Sequence, residues 1–185
     1  LAYASLGAAG WFVAHLQPID AGFPLLRYLG GAMIIYGVAD AAFGLTVESH
    51  AMLGLRVPPQ HHAPILARSV GDFWSKHYNL NVSAWIGHHV HRPVARIGQP
   101  RLGLAAAFGF SAAFHMWLSW VPLDAPMALS MGAFFLAQGV AVVIERSFSG
   151  FRRLPELVRR AWTLAWVLLP SPLFVEPFLR ILEGP

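Results

Sequence analysis

The sequence predicts an all-α, polytopic integral membrane protein with about five transmembrane helices and one amphipathic interfacial helix. Three observations predict it. Of the 185 residues, 56% are apolar and only 12% are charged, whereas a soluble domain carries about 25% charged residues. The apolar residues are clumped into runs near 1–16, 25–47, 102–121, 127–144 and 161–182, each close to the roughly 20 residues a helix needs to cross a bilayer. The basic residues are placed asymmetrically: eleven of the thirteen lie in two segments, 48–101 and 145–160.

The first run, 1–16, is short for a span. The chain begins at Leu1 with no Met and no basic flank, so this run does not read as a cleavable signal peptide; a truncated, processed or partly built polypeptide is expected. The second run carries Asp40, with Tyr36 one turn earlier and Gly37 and Gly44 allowing close helix contact. A carboxylate at that depth must be protonated or paired. The partner expected for it is His115, which it would orient, or an arginine; a structural hydrogen bond is an equal reading.

The segment 48–101 is the long non-membrane piece. Its stretch Leu55 to Pro64 is broken by prolines, which remove donors and exclude continuous helix. A helix is expected over 69–90, opened by Ser69 with Asp72 three residues on as a variant capping box, and stopped by Pro93. Asp72, Lys76, Asn79 and Ser83 would form one polar stripe opposite Val70, Phe73, Trp74, Tyr78 and Trp85, a pattern suited to the bilayer interface. The last run is interrupted by Pro170, Pro172 and Pro177 and reads as a kinked or re-entrant span. The resulting organisation is a single membrane domain: two N-terminal spans over 1–47, the loop 48–101, and three membrane segments over 102–185.

Charge placement argues against nucleic acid as a partner and for topology. Connections 17–24 and 122–126 hold no Lys or Arg, so by the positive-inside pattern both basic segments should be cytoplasmic, within reach of anionic headgroups. Cysteine is absent from the chain, which rules out disulfides and fits a bacterial inner membrane.

His115 is the most informative single residue. It lies in the apolar run Leu102–Val121, which contains no charged residue, and Ser111 and Ser119 flank it at four residues either side. An intramembrane ionisable side chain is costly and usually faces a protein interior or cavity. His115 and Asn79 could converge on a cavity with a cytoplasmic mouth, a neutral imidazole acting as base and an amide donating to an oxyanion. The bland readings stand beside this one: His115 as glue between helices, Asn79 as a solvated or capping residue. His61, His62, His77, His88, His89 and His91 include one i, i+3 pair. No Cys or Glu accompanies them at zinc-like spacing, so they read as solvated histidines and no metal is expected.

The stretch Leu55-Arg-Val-Pro-Pro, Ala63-Pro64, then Ala67-Arg-Ser69-Val-Gly-Asp72-Phe73-Trp74-Ser-Lys76-His-Tyr-Asn79, Val82-Ser83 and Arg92-Pro93 is followed by Ser111-Ala-Ala-Phe-His115 in a membrane run. This order resembles the wax synthase-like domain of the membrane-bound O-acyltransferase superfamily. Phe134-Phe-Leu-Ala-Gln-Gly-Val-Ala, Glu145-Arg146 and the terminal Arg-Ala-Trp-Thr region are similar to that family's C-terminal part, so the resemblance covers roughly 45–182.

The resemblance implies an O-acyltransferase-like helical core and transfer of a fatty acyl group from acyl-CoA to the hydroxyl of a lipid alcohol. Acyl-CoA would be a co-substrate, and no resident cofactor is implied. His115 would be the catalytic base and Asn79 its polar partner near the thioester. Asp72, Phe73, Trp74 and Lys76 would serve substrate binding, and Asp40 and Ser111 would be intramembrane polar partners. The sequence departs from the family pattern at Lys76-His77-Tyr78, where Arg-Arg-Trp is usual, in lacking a glycine before His115, and in following His115 with Met116-Trp117. A rival reading makes the same fold an inactive integral subunit of a larger membrane complex, in contact with lipids and other membrane subunits.

Overall fold

The structure is a computed structural model that describes residues 2–16 and 24–184. All regular structure among the described residues is helical. Helices α1 (Ala2–Ala14) and α2 (Leu25–Met52) form an antiparallel hairpin. Their backbones approach closely, because a Cβ at Gly10 would lie 2.6 Å from the carbonyl oxygen of Gly30. Small residues drive such packing where lipid removes the hydrophobic incentive. Apart from Pro24, the connection 17–24 lies outside the described residues.

A second hairpin, α6 (Pro100–Trp120) and α7 (Ala125–Ser147), makes the centre of the molecule. Asp124 caps α7, its carboxylate accepting the Met127 amide at 2.9 Å. One face of α7 is buried at Ala128, Met131, Phe135, Gln138, Val142 and Glu145, while Leu129, Leu136, Val140 and Val143 are exposed. The buried positions recur every three or four residues, the spacing of one helix face. The exposed face is as apolar as the buried one, as expected where the surrounding solvent is lipid.

Helices α8 (Glu156–Leu168) and α9 (Pro172–Glu183) are bent by 42° at the break between them. This is the kink expected from Pro170 and Pro172. Helices α2, α6 and α7 are each long and apolar enough to cross a membrane, and the bent pair would make a fourth span. The expected first span is shorter: α1 has 13 residues, about 20 Å of helix against a hydrocarbon core of about 30 Å. Helix α2 continues to Met52 instead of ending at Val47.

An ionic cluster ties the ends of the bundle together. The Arg27 guanidinium, 2% exposed, donates to Glu176 at 2.9 Å and to Glu183 at 2.7 Å. Arg180 pairs with the same Glu176 at 2.9 Å. These are the two bases that lie outside the basic segments, and both carry acid partners.

The single helix expected over 69–90 is corrected. Ser69 is the N-cap, its hydroxyl accepting the Asp72 amide at 2.9 Å. Helix α3 (Val70–Asp72) widens into a π turn over Phe73–His77 and then stops. Tyr78 is extended, with φ −127° and ψ 131°, and Asn79 is left-handed, with φ 48° and ψ 54°. Asn tolerates that region better than most residues with a side chain. Helix α4 (Leu80–Ile86) restarts the coil, which passes through a π turn at Gly87–His91 into α5 (Arg92–Ala95). Pro93 therefore does not end the helix; its missing donor falls just after the widened turn. Asp72 and Lys76 still pair at 2.9 Å, but the break separates them from Asn79 and Ser83, so no single stripe exists.

Candidate functional site

Two side chains of α7, seven residues apart, hold the motif segment in place. The Glu145 carboxylate, 8% exposed, accepts the Val70 amide at 2.6 Å and the Gly71 amide at 3.1 Å. It also accepts the Trp162 indole of α8 at 3.0 Å. Gln138, fully buried, accepts the Trp74 indole at 3.2 Å and donates to the Trp166 carbonyl at 2.7 Å. A buried carboxylate that receives three donors satisfies the first amides of a helix that has no other capping partner for them. Both residues fall in the stretches that resemble the family's C-terminal part, but the sequence assigned neither of them a role at the site. The available signal was a polar amide and a carboxylate on one face of an otherwise apolar run.

The motif residues separate into packed and surface groups. Phe73 is buried and stacks on Tyr78, centroids 5.3 Å apart and planes 12° apart. Trp74 meets Phe134 at 6.2 Å and Phe135 at 5.8 Å. Asp72 is engaged internally, by Lys76, by the Arg68 amide at 3.3 Å and by His77 at 3.3 Å. Partial burial pushes its carboxyl upward, but these donors outweigh it and hold the group below its ordinary range. Lys76 is 73% exposed, so its pair with Asp72 adds little stability. Burial pushes the Tyr78 phenol up to about 12, with Asp40 and Tyr36 adding to the effect.

His115 is half-buried, and its Nδ1 lies 2.8 Å from the Ser111 carbonyl oxygen. A carbonyl only accepts, so Nδ1 carries the proton and Nε2 of the neutral ring carries the lone pair. The ring stacks on Phe135 at 4.0 Å and touches Phe174 at 5.7 Å. Ser111 thus partners His115 through its backbone; its hydroxyl donates to Ala107 at 3.2 Å, and Ser119 donates to the His115 carbonyl at 2.8 Å. Ser111, His115 and Ser119 each bond a carbonyl of their own helix, and the Ser119 hydroxyl also lies 2.8 Å from Sδ of Met131 in α7.

Tyr78, Trp74, Phe135 and His115 form an unbroken aromatic series, with centroids 5.5, 5.8 and 4.0 Å apart. It joins the motif segment to the imidazole. Asn79 follows Tyr78, and its Oδ1 accepts from Gln60 at 3.3 Å. No hydrogen bond joins Asn79 to His115 among the described residues. A hollow lined by Ala113, Met116, Trp117, Trp120 and Val121 lies on the outer face of α6.

Asp40 takes the structural hydrogen bond, the equal reading for it, and pairs neither with His115 nor with an arginine: its Oδ1 lies 2.6 Å from Nδ1 of His61. The reading of the clustered histidines is corrected at one position. His61 is accordingly not a solvated histidine; its side chain is 4% exposed. The sequence separation of 21 residues hid the pair. Among the described residues no group of three metal-ligating side chains comes together.

Fold and site define a helical membrane protein that presents an imidazole lone pair beside an aromatic-lined motif segment. Residues 57–136 match the family described as membrane bound O-acyl transferase, and the chain carries a wax synthase-like domain of that family. A protein named probable long-chain-alcohol O-fatty-acyltransferase 2, from Arabidopsis thaliana, is 34% identical over 71% of this chain and 44% of its own length. The long-chain-alcohol O-fatty-acyltransferase of Simmondsia chinensis is 30% identical over 72% of this chain and 42% of its own. An Arabidopsis thaliana acyl-CoA–sterol O-acyltransferase is 28% identical over 80% and 47%. The chain thus spans under half the length of these relatives. No solved structure matches it.

Proposed function

We propose that this domain transfers a fatty acyl group from acyl-CoA to the hydroxyl of a membrane-dissolved alcohol, with His115 as base. The observation that carries the reading is the orientation of His115. Ser111 fixes the proton on Nδ1, and the ring lies against Phe135, which touches Trp74 of the motif. Nε2 takes the alcohol proton as the oxygen attacks the thioester carbon. The tetrahedral adduct collapses with cleavage of the C–S bond, and the departing CoA sulfur takes the proton from Nε2. Ester and CoA are the products. Gln60 engages Oδ1 of Asn79, which leaves the Nδ2 end for donation to the oxyanion.

Phe73 and Trp74 form the apolar wall of the motif and would flank the acyl chain. Asp72 shapes the start of the motif through its internal bonds, and Lys76, exposed beside it, offers charge to the phosphates of CoA. Similarity to named acyltransferases supports transfer over a purely structural subunit. The family and the apolar helices support an integral membrane protein. The basic segments 48–101 and 145–160 favour a cytoplasmic position for both. The named relatives are plant proteins and give the bacterial inner membrane no support, so the proposal extends only to an integral membrane protein.

The test is transfer from labelled acyl-CoA to a panel of long-chain alcohols, sterols and diacylglycerol by the protein in lipid nanodiscs. Ester formed with at least one acceptor is expected. Transfer to none of them, by protein shown to be folded, would overturn the reading.

A further inference from the structure

The Asp40–His61 pair lies outside the mechanism above. His61 stands in the proline-broken stretch, and its neighbours bind the chain on both sides of Asn79. The Gln60 carbonyl accepts the Leu80 amide at 2.9 Å, after the break, and the His62 amide donates to the His77 carbonyl at 2.9 Å, before it. The Gln60 side chain donates to Asn79 itself at 3.3 Å. Residues 60–62 are thus a clamp that replaces the helical hydrogen bonds lost where Asn79 turns left-handed. The clamp has one deeply buried side chain, that of His61, held between Tyr36 at 5.2 Å and Tyr78 at 4.5 Å and bonded at Nδ1 to Asp40 of α2.

We propose that Asp40 and His61 form a latch that anchors this clamp to α2 and thereby sets the orientation of the Asn79 amide; both are positioning residues for acyl transfer. The inference rests on the role given to Asn79 above. The pair is mutually dependent. Among the described residues, Asp40 Oδ2 and His61 Nε2 are buried without hydrogen-bond partners, so each side chain has the other as its polar contact there. Removing one leaves the other buried and unsatisfied, which is costlier than never having built the pair. The sequence around Asn79 does not favour its backbone geometry unaided, because a left-handed residue in mid-helix forfeits the bonds that the clamp restores.

The experiment pairs kinetics with hydrogen exchange on the protein in lipid nanodiscs, using labelled acyl-CoA and a long-chain alcohol. The variants are Asp40→Ala, Asp40→Asn, His61→Phe, Asn79→Ala and the His61→Phe/Asn79→Ala double. In Asp40→Ala and His61→Phe, exchange at the His62 and Leu80 amides should rise while that of α6 and α7 stays unchanged. Their kcat should fall about tenfold or more with KM for acyl-CoA within about twofold. Asp40→Asn, whose amide oxygen still accepts from Nδ1, should recover most of the activity. The double variant should be no slower than Asn79→Ala alone, since both act through one amide. Independent, additive losses would overturn the latch, as would unchanged exchange at His62 and Leu80. Full activity in Asn79→Ala would instead remove the role of Asn79, and the exchange data would then decide the latch alone.

Discussion

The imidazole of His115 lies against the ring of Phe135, with centroids 4.0 Å apart and planes 28° apart. Phe135 also touches Trp74, so one side chain of α7 both seats the candidate base and faces the motif. Phe135→Leu keeps the site apolar but removes ring carbons, a large-to-small change that should cost about 1–3 kcal/mol of stability. It removes the flat surface that fixes the imidazole, so kcat should fall several-fold while KM for acyl-CoA changes little. Steady-state kinetics beside a thermal melt checks this; equal kcat would show that the stack does not orient His115.

Glu145 should be the most sensitive polar residue of the fold. Glu145→Gln replaces one carboxylate oxygen with an NH2: with Oε1 kept on the Val70 amide and the Trp162 indole, the NH2 faces the Gly71 amide. Two donors would face each other, and charge-assisted bonds of this kind contribute about 1.5–3 kcal/mol each. A loss of a few kcal/mol is expected, read by denaturant unfolding in detergent micelles. Exchange at the Val70 and Gly71 amides should rise with it. Unchanged exchange there would contradict the capping role.

Tyr78 predicts an alkaline limit. Its phenol is pushed up to about 12 from an ordinary value of 10. The folded state keeps the proton where the unfolded chain loses it, so this contribution is complete below pH 10 and is lost as pH rises from 10 through about 12. Tyr78→Phe retains the ring packing and should flatten the fall of stability across that window. A stability profile over this range in both proteins is the measurement; parallel profiles would contradict the assignment.

What the sequence made legible follows the range of the interactions involved. The Ser69 cap and the Asp72–Lys76 pair were readable because they join residues three and four apart. The long spans were readable because hydropathy is a property of a single segment. The break at Asn79 was not, because its cause lies at Gln60 and His62, some 15 to 20 residues earlier in the chain. Asp40 carried a clear signal of need without naming His61 as its partner. Glu145 meets Val70 across 75 residues, and nothing local marks that contact. The role of His115 lies between these cases: its cost in an apolar helix was visible at once, whereas its seat on Phe135 depended on how α6 and α7 pair.

The measurement that bears most directly on the central claim is acyl transfer by His115→Ala in lipid nanodiscs, with labelled acyl-CoA and a long-chain alcohol. Removing a general base should lower kcat by about 10²–10⁴-fold, with the thermal melt and KM for acyl-CoA close to those of the parent protein. Transfer by His115→Ala at the parent rate would contradict the assignment of His115 as the base.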